Sequence, residues 1–114
     1  QKKIIKVLYP FKTSSKNYKL WKKYYSGSSG LLGIIVKSKN KPSVIRFINS
    51  LELFGIGYSW GGFESLVMYN GPVEMGKRSF FKLKKNEHLI RLHIGLENPK
   101  ELILDLKKSL KKIK

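Results

Sequence analysis

The run Leu31-Leu32-Gly33-Ile34-Ile35-Val36 is the segment that most constrains the fold. It is continuous, apolar and rich in β-branched residues, so it reads as a buried strand. The rest of the chain must supply its neighbours and its cover. His88-Leu89-Ile90-Arg91-Leu92-His93-Ile94 reads as the last strand, with Leu89, Arg91 and His93 on one face and Ile90, Leu92 and Ile94 on the other. Phe54 to Ser59 and Leu66 to Tyr69 read as two more strands. Asn17 is a candidate cap for a helix whose apolar face carries Leu20, Trp21, Tyr24 and Tyr25, stopped by Ser26 to Gly30. Pro42 opens a second helix with Val44, Ile45, Phe47 and Ile48 on its apolar side. Asn98 caps a third, Pro99 is its first residue, and Leu102, Ile103, Leu106, Leu110 and Ile113 form its stripe. Lys6 to Pro10 reads as a short extended lead-in, and residues 73–87, which lack periodicity, as a mobile surface segment. The order helix, strand, helix, strand, strand, strand, helix predicts an α+β fold. It is a small, mostly antiparallel sheet of about four strands with helices on one face, one domain across residues 1–114.

Composition excludes several classes. With no cysteine, neither disulfides nor thiolate metal ligands are available, and two histidines alone argue against a metal site. No apolar run approaches the roughly 20 residues of a membrane-spanning helix. The basic start, Gln1 to Lys6, lacks the apolar core of a signal peptide, so a cytoplasmic setting without a membrane partner is expected. The formal charge of +17 raises nucleic acid as a partner. Yet 21 of the 24 basic residues are Lys and only Arg46, Arg78 and Arg91 are Arg. Base readout and bidentate phosphate contacts favour Arg, so the charge supports only non-specific attraction and reads as a solvated lysine surface.

Against that lysine background, Leu53 to Asn70 contains no Lys or Arg. Its centre, Tyr58-Ser59-Trp60-Gly61-Gly62-Phe63-Glu64-Ser65-Leu66, joins adjacent glycines to three aromatic rings. Such glycines allow a tight turn or a close approach to a ligand. Trp60 suits either ligand stacking or half-buried packing. Ser59 lacks the sequence setting of a nucleophile, and the glycines between Ser26 and Gly30 match no phosphate loop. Arg91 interrupts an apolar strand, and burying a lone charge is costly. It therefore needs an anion, either a bound carboxylate or a glutamate of the chain such as Glu64. His93 reads as a hydrogen-bonded histidine near the sheet surface, and His88, at the strand start, as solvated.

The nonapeptide, followed by Leu89-Ile90-Arg91-Leu92-His93-Ile94-Gly95-Leu96-Glu97 and the helix from Pro99 to Leu110, resembles the C-terminal domain of bacterial cystathionine β-lyase. That is a pyridoxal-phosphate enzyme of fold type I in the cysteine and methionine metabolism family. Val7-Leu8-Tyr9-Pro10, Leu20-Trp21 and Ser26-Gly27-Ser28-Ser29-Gly30-Leu31 resemble the start of the same domain. Related γ-lyases and γ-synthases usually carry Leu at the position of Trp60, which favours the β-lyase branch. Lys16 and Asn17 depart from the His-Pro common there. The resemblance implies that Arg91 binds the substrate α-carboxylate, that the backbone of Ser59 assists, and that Tyr58 and Trp60 border the substrate pocket. It also implies a large pyridoxal-phosphate domain as partner, holding the Schiff-base lysine, the aspartate that pairs with the pyridinium nitrogen, and the phosphate loop. None of these is recognisable here, and Asp105 belongs to the last helix.

The sequence therefore predicts the substrate-carboxylate half of an active site, with no catalytic residue, metal or bound cofactor of its own. In the complete enzyme, with pyridoxal phosphate, cystathionine would yield homocysteine, pyruvate and ammonia; the chain alone is expected to be inactive. The alternative is a free-standing interaction or small-molecule-binding domain with the pocket reused or decayed. A basic non-specific nucleic-acid binder is the third reading.

Overall fold

A computed structural model describes residues 3–76 and 80–114, with only the backbone of Glu74. Arg78 and the first lysine of the N-terminal cluster, Lys2, lie outside the described residues. The elements are β1 (Ile4–Leu8), α1 (Tyr18–Tyr24), β2 (Leu31–Lys37), α2 (Lys41–Asn49), β3 (Gly55–Ile56), β4 (Leu66–Asn70), α3 (Pro72–Met75), β5 (Glu87–His93) and α4 (Pro99–Ser109), followed by a 3-10 turn (Leu110–Lys112). The strands form one sheet in the order β1-β2-β5-β4-β3. Every pairing is antiparallel except the short parallel one between β3 and β4. The architecture is the expected α+β one, with β5 as the middle strand.

The sheet has five strands where the sequence suggested about four. The lead-in is a true strand: Lys6, Val7 and Leu8 pair with Ile35, Ile34 and Gly33. Its lysine, Lys6, and a register shift between Ile4 and Lys6 break the alternation that would have marked it, as suits an edge strand. The expected strand from Phe54 to Ser59 shrinks to Gly55–Ile56. Beyond it the carbonyls of Gly57, Tyr58 and Ser59 all accept from the Arg91 side chain, so they are lost to a ladder. Of residues 73–87, expected to lack periodicity, 73–75 join Pro72 in the single helical turn α3, and 77–79 lie outside the described residues.

The core lies between one face of the sheet and the helices α2 and α4. Ile34 and Val36 of β2, Val67 of β4, and Ile90 and Leu92 of β5 meet Val44, Phe47 and Ile48 of α2, and Leu102, Leu110 and Ile113 at the C-terminal end. Buried Asp105 ties α4 to the segment after α2 by accepting from the backbone N–H of Glu52 at 3.1 and 3.0 Å and of Leu53 at 2.9 Å. Ser109 Oγ adds a bond to the Ser50 carbonyl at 2.9 Å.

Two expectations fail against this frame. The apolar spacing of α1 suggested a core-facing helix, yet α1 has no buried residue, and Leu20 and Tyr24 are 58% and 65% exposed. Trp21 packs only locally, edge-on to Phe11 and stacked with Tyr18. His88 was expected in solvent; it is buried. Its Nδ1 meets the Tyr69 hydroxyl at 2.8 Å and its Nε2 the Ser38 carbonyl at 3.1 Å. Pairing on both sides removes the cost of burying the ring. No helix among the described residues is long and apolar enough to cross a membrane.

Candidate functional site

The other face of β5 builds the candidate site. Alternation turns Leu89, Arg91 and His93 away from the core, and each organises a different neighbour. Arg91 stands opposite Gly33 of β2 and Met68 of β4. Gly33 lets the side chains of Leu89 and Leu8 close in over it; a Cβ there would meet Leu89 Cδ1 at 3.2 Å. A groove of about 390 Å³ results, with Arg91 as its cation and Leu8, Leu89, Met68 and Met75 among its apolar walls.

The Arg91 guanidinium is only partly satisfied. Nη2 donates to the carbonyls of Tyr58 at 2.6 Å, Ser59 at 3.1 Å and Gly57 at 3.3 Å. Nε is buried and has no partner among the described residues. Glu64 does not neutralise it: the ion pair among the described residues joins Lys108 to Glu52. Arg91 is thus a cation held by neutral carbonyls at one end, with a buried donor unpartnered among the described residues, and it lines an apolar groove. That arrangement can accept a carboxylate through a guanidinium fork.

Next to it, the nonapeptide makes an excursion between β3 and β4. Gly61 has φ +82°, a left-handed conformation that side chains strain against. His93 holds this turn from below. Its Nε2–H donates to the Gly62 carbonyl at 3.0 Å, which leaves Nδ1 to accept from the Gly61 N–H at 3.4 Å. Further on, Glu97 clamps Ser65. Its two carboxylate oxygens accept from the Ser65 N–H at 2.6 Å and the Ser65 hydroxyl at 2.7 Å, while Ser65 Oγ accepts from the Gly95 N–H at 2.9 Å. The backbone N–H and then the hydroxyl of Ser65 hold the Glu97 carboxyl below its ordinary pKa. Gly95 is required by this closeness: a Cβ would collide with the Phe63 carbonyl and come within 2.7 Å of the Glu64 carbonyl carbon.

The backbone of the excursion is pinned, but its rings are not. Tyr58, Trp60 and Phe63 are 79%, 65% and 70% exposed. Of the residues singled out in the sequence, Arg91, Tyr58 and Ser59 come together directly, through the two carbonyls, and Trp60 follows on the same segment. Glu97 and Ser65 went unnoticed as a pair. The one available signal was a lone carboxylate just after an apolar strand, facing a serine in the only long lysine-free stretch.

The described residues do not fit a pyridoxal-phosphate cradle. The sole aspartate, Asp105, is occupied by backbone N–H groups. The described lysines lie at the surface or, for Lys3, half-buried. Among the described residues, no three of His, Cys, Asp and Glu converge on a metal position.

With the geometry in hand, similarity to known proteins becomes informative. Residues 1–111 match the pattern of the Cys/Met metabolism PLP-dependent enzymes. A cystathionine β-lyase of Bordetella avium is 41% identical over 108 residues, which is 94% of this chain and 26% of that protein. The cystathionine β-lyase of Escherichia coli K12 is 38% identical over 105 residues, 90% of this chain and 27% of that protein. The fold matches that of cystathionine γ-synthase from Xanthomonas oryzae pv. oryzae, solved in complex with cystathionine. There the TM-score is 0.78 at 21% identity, over 98% of this chain and 30% of the other. The chain thus spans about a quarter of the length of the two lyases it matches.

Proposed function

This chain belongs to the Cys/Met metabolism PLP-dependent enzyme family, and from that premise we propose that it is the small, substrate-carboxylate-binding domain of a cystathionine β-lyase. In this reading Arg91 takes the α-carboxylate of an amino-acid substrate. The backbone at Ser59 fixes where the guanidinium points, and Tyr58 and Trp60 wall the pocket. The observation that carries the reading is the buried, unpartnered Nε of Arg91 beside an apolar groove. An uncompensated donor there costs free energy that a carboxylate would recover. Arg91 would turn part of its fork from the carbonyls of Tyr58 and Ser59 to the ligand.

The chemistry then lies with a cofactor-binding part supplied by the rest of such an enzyme, in a cytoplasmic setting. When bound there, pyridoxal phosphate serves as the electron sink that lets cystathionine and water yield homocysteine, pyruvate and ammonia. This chain contributes binding and orientation, and by itself neither holds the cofactor nor turns over. Two measurements test this. Pyridoxal phosphate added to the chain alone and treated with borohydride should label the exposed lysines only diffusely and sub-stoichiometrically; stoichiometric labelling of one lysine would overturn the division of labour. Co-expressed with the cofactor-binding portion of a β-lyase relative, the chain should restore pyruvate release from cystathionine, and Arg91→Lys should raise KM more than it lowers kcat. An Arg91→Lys complex with unchanged KM would remove Arg91 from the pocket.

A second reading, a free-standing interaction domain, draws on the exposure of Ile56, Tyr58, Trp60, Phe63 and Leu96 around the excursion. The backbone bond from the Leu96 N–H to the Phe63 carbonyl, 2.8 Å long, brings the last two together. Retention of that surface without any response to amino-acid carboxylates would favour this reading.

A further inference from the structure

A second, more polar groove runs along the outer edge of the sheet and shares only Leu8 with the Arg91 groove. Pro10 ends the extended course of β1, and successive tight turns fold the chain back beside it. Lys12 N–H bonds the Tyr9 carbonyl at 3.1 Å, Ser15 N–H the Lys12 carbonyl at 2.7 Å, and Tyr18 N–H the Ser15 carbonyl at 3.1 Å. The returning segment and β1 enclose about 450 Å³, lined by Lys6, Lys12 and Lys16, the hydroxyl residues Ser14 and Ser15, and the ring of Phe81. No carboxylate lines this groove among the described residues.

Four of the chain's seven acids are engaged elsewhere. Glu97 is on Ser65, Asp105 on the 52–53 backbone, Glu87 on the Lys84 N–H, and Glu52 on Lys108. Three exposed lysines therefore line one concavity with no carboxylate beside them among the described residues. An anion reaching them would gain charge-assisted hydrogen bonds in a field of one sign. Lysine is a point-charge phosphate ligand, serine hydroxyls add donors, and the volume suits a small molecule. A single carboxylate could neutralise only one of the three charges. A nucleic-acid strand needs an open track and a row of exposed rings, whereas the 12–17 turn closes one side here and Phe81 is half-buried.

We propose that the groove between β1 and residues 12–17 binds a small polyphosphate anion through Lys6, Lys12 and Lys16. The site is independent of Arg91 and of the carboxylate reading. Titration calorimetry of the full chain with inorganic tripolyphosphate tests it. One saturable site is expected, weakening with salt. Lys12→Gln/Lys16→Gln should lower affinity roughly tenfold or more, the loss of two charge-assisted hydrogen bonds. Lys107→Gln/Lys111→Gln removes the same charge from the solvent side of the C-terminal helix region and should change affinity less than about threefold, since distant exposed charges are screened. All four lysines are exposed, and unchanged circular dichroism verifies that both variants fold. No binding, or equal weakening in the two double variants, would overturn the proposal. Displacement of tripolyphosphate by a short single-stranded oligonucleotide of much higher affinity would overturn it in favour of nucleic acid. ATP binding more tightly than tripolyphosphate would assign a nucleotide; equal affinity would assign the phosphate chain alone.

Discussion

The two faces of β5 obey opposite rules. On one, Ile90 and Leu92 are 0% and 2% exposed and meet a core whose polar intruders are satisfied: Asp105 by three backbone bonds, His88 on both ring nitrogens. On the other, Arg91 keeps a buried donor without a partner, and the excursion it touches turns its rings into solvent. Residues a single position apart on β5 thus face a packed core and an open surface. The packed face specifies the fold. The open face leaves the Arg91 Nε without a partner among the described residues, and its backbone is pinned by His93 and Glu97.

The contrast is sharpest where the effects are largest. Phe47→Ala empties a fully buried site on the packed face and should cost about 4 kcal/mol in urea unfolding. A cost under about 1 kcal/mol would mean that this face is not close-packed. Gly95→Ala strikes the backbone support of the open face. The Cβ must displace the Phe63 carbonyl, so roughly 2 kcal/mol is expected, together with changed amide shifts from Phe63 to Ser65.

The Glu97 clamp predicts a smaller, pH-dependent effect. Its folded pKa lies below the ordinary glutamate value, so its contribution is present above that value and is lost as pH falls through the lowered one. Glu97→Gln should therefore flatten the acid limb of a melting-temperature profile; an unchanged slope would show that the clamp does not form. Smallest of all, Tyr58→Ala and Trp60→Ala should each shift stability by less than about 0.5 kcal/mol, because their rings are exposed. Losses comparable to Phe47→Ala would erase the distinction between the faces.

The packed face was largely legible in the sequence because it rests on periodicity. The apolar run of β2, the alternation of β5 and the Asn98-Pro99 start of α4 each state their own geometry, and the Asn98 side chain does accept from the Lys100 N–H at 2.9 Å. What escaped depends on distant partners. The partners that draw His88 inward, Tyr69 and Ser38, lie 19 and 50 residues away. β3 stops early because an arginine 32 to 34 residues later takes its carbonyls. The spacing in α1 correctly marks an apolar helix face, but spacing cannot tell whether this chain covers it. Arg91 was legible as a residue in need of an acceptor. Its answer, three neutral carbonyls and one idle donor, required the fold.

The central claim is that Arg91 is a carboxylate receptor rather than a structural tie. The most direct test follows the arginine side-chain Nε–H resonances of the labelled chain during titration with L-cystathionine. The account predicts that one resonance, absent in Arg91→Lys, shifts saturably while that of Arg46 stays in place. If the Arg91 resonance does not move while cystathionine reaches saturating concentration for a complete relative, or if Arg46 moves equally, the carboxylate site is not there.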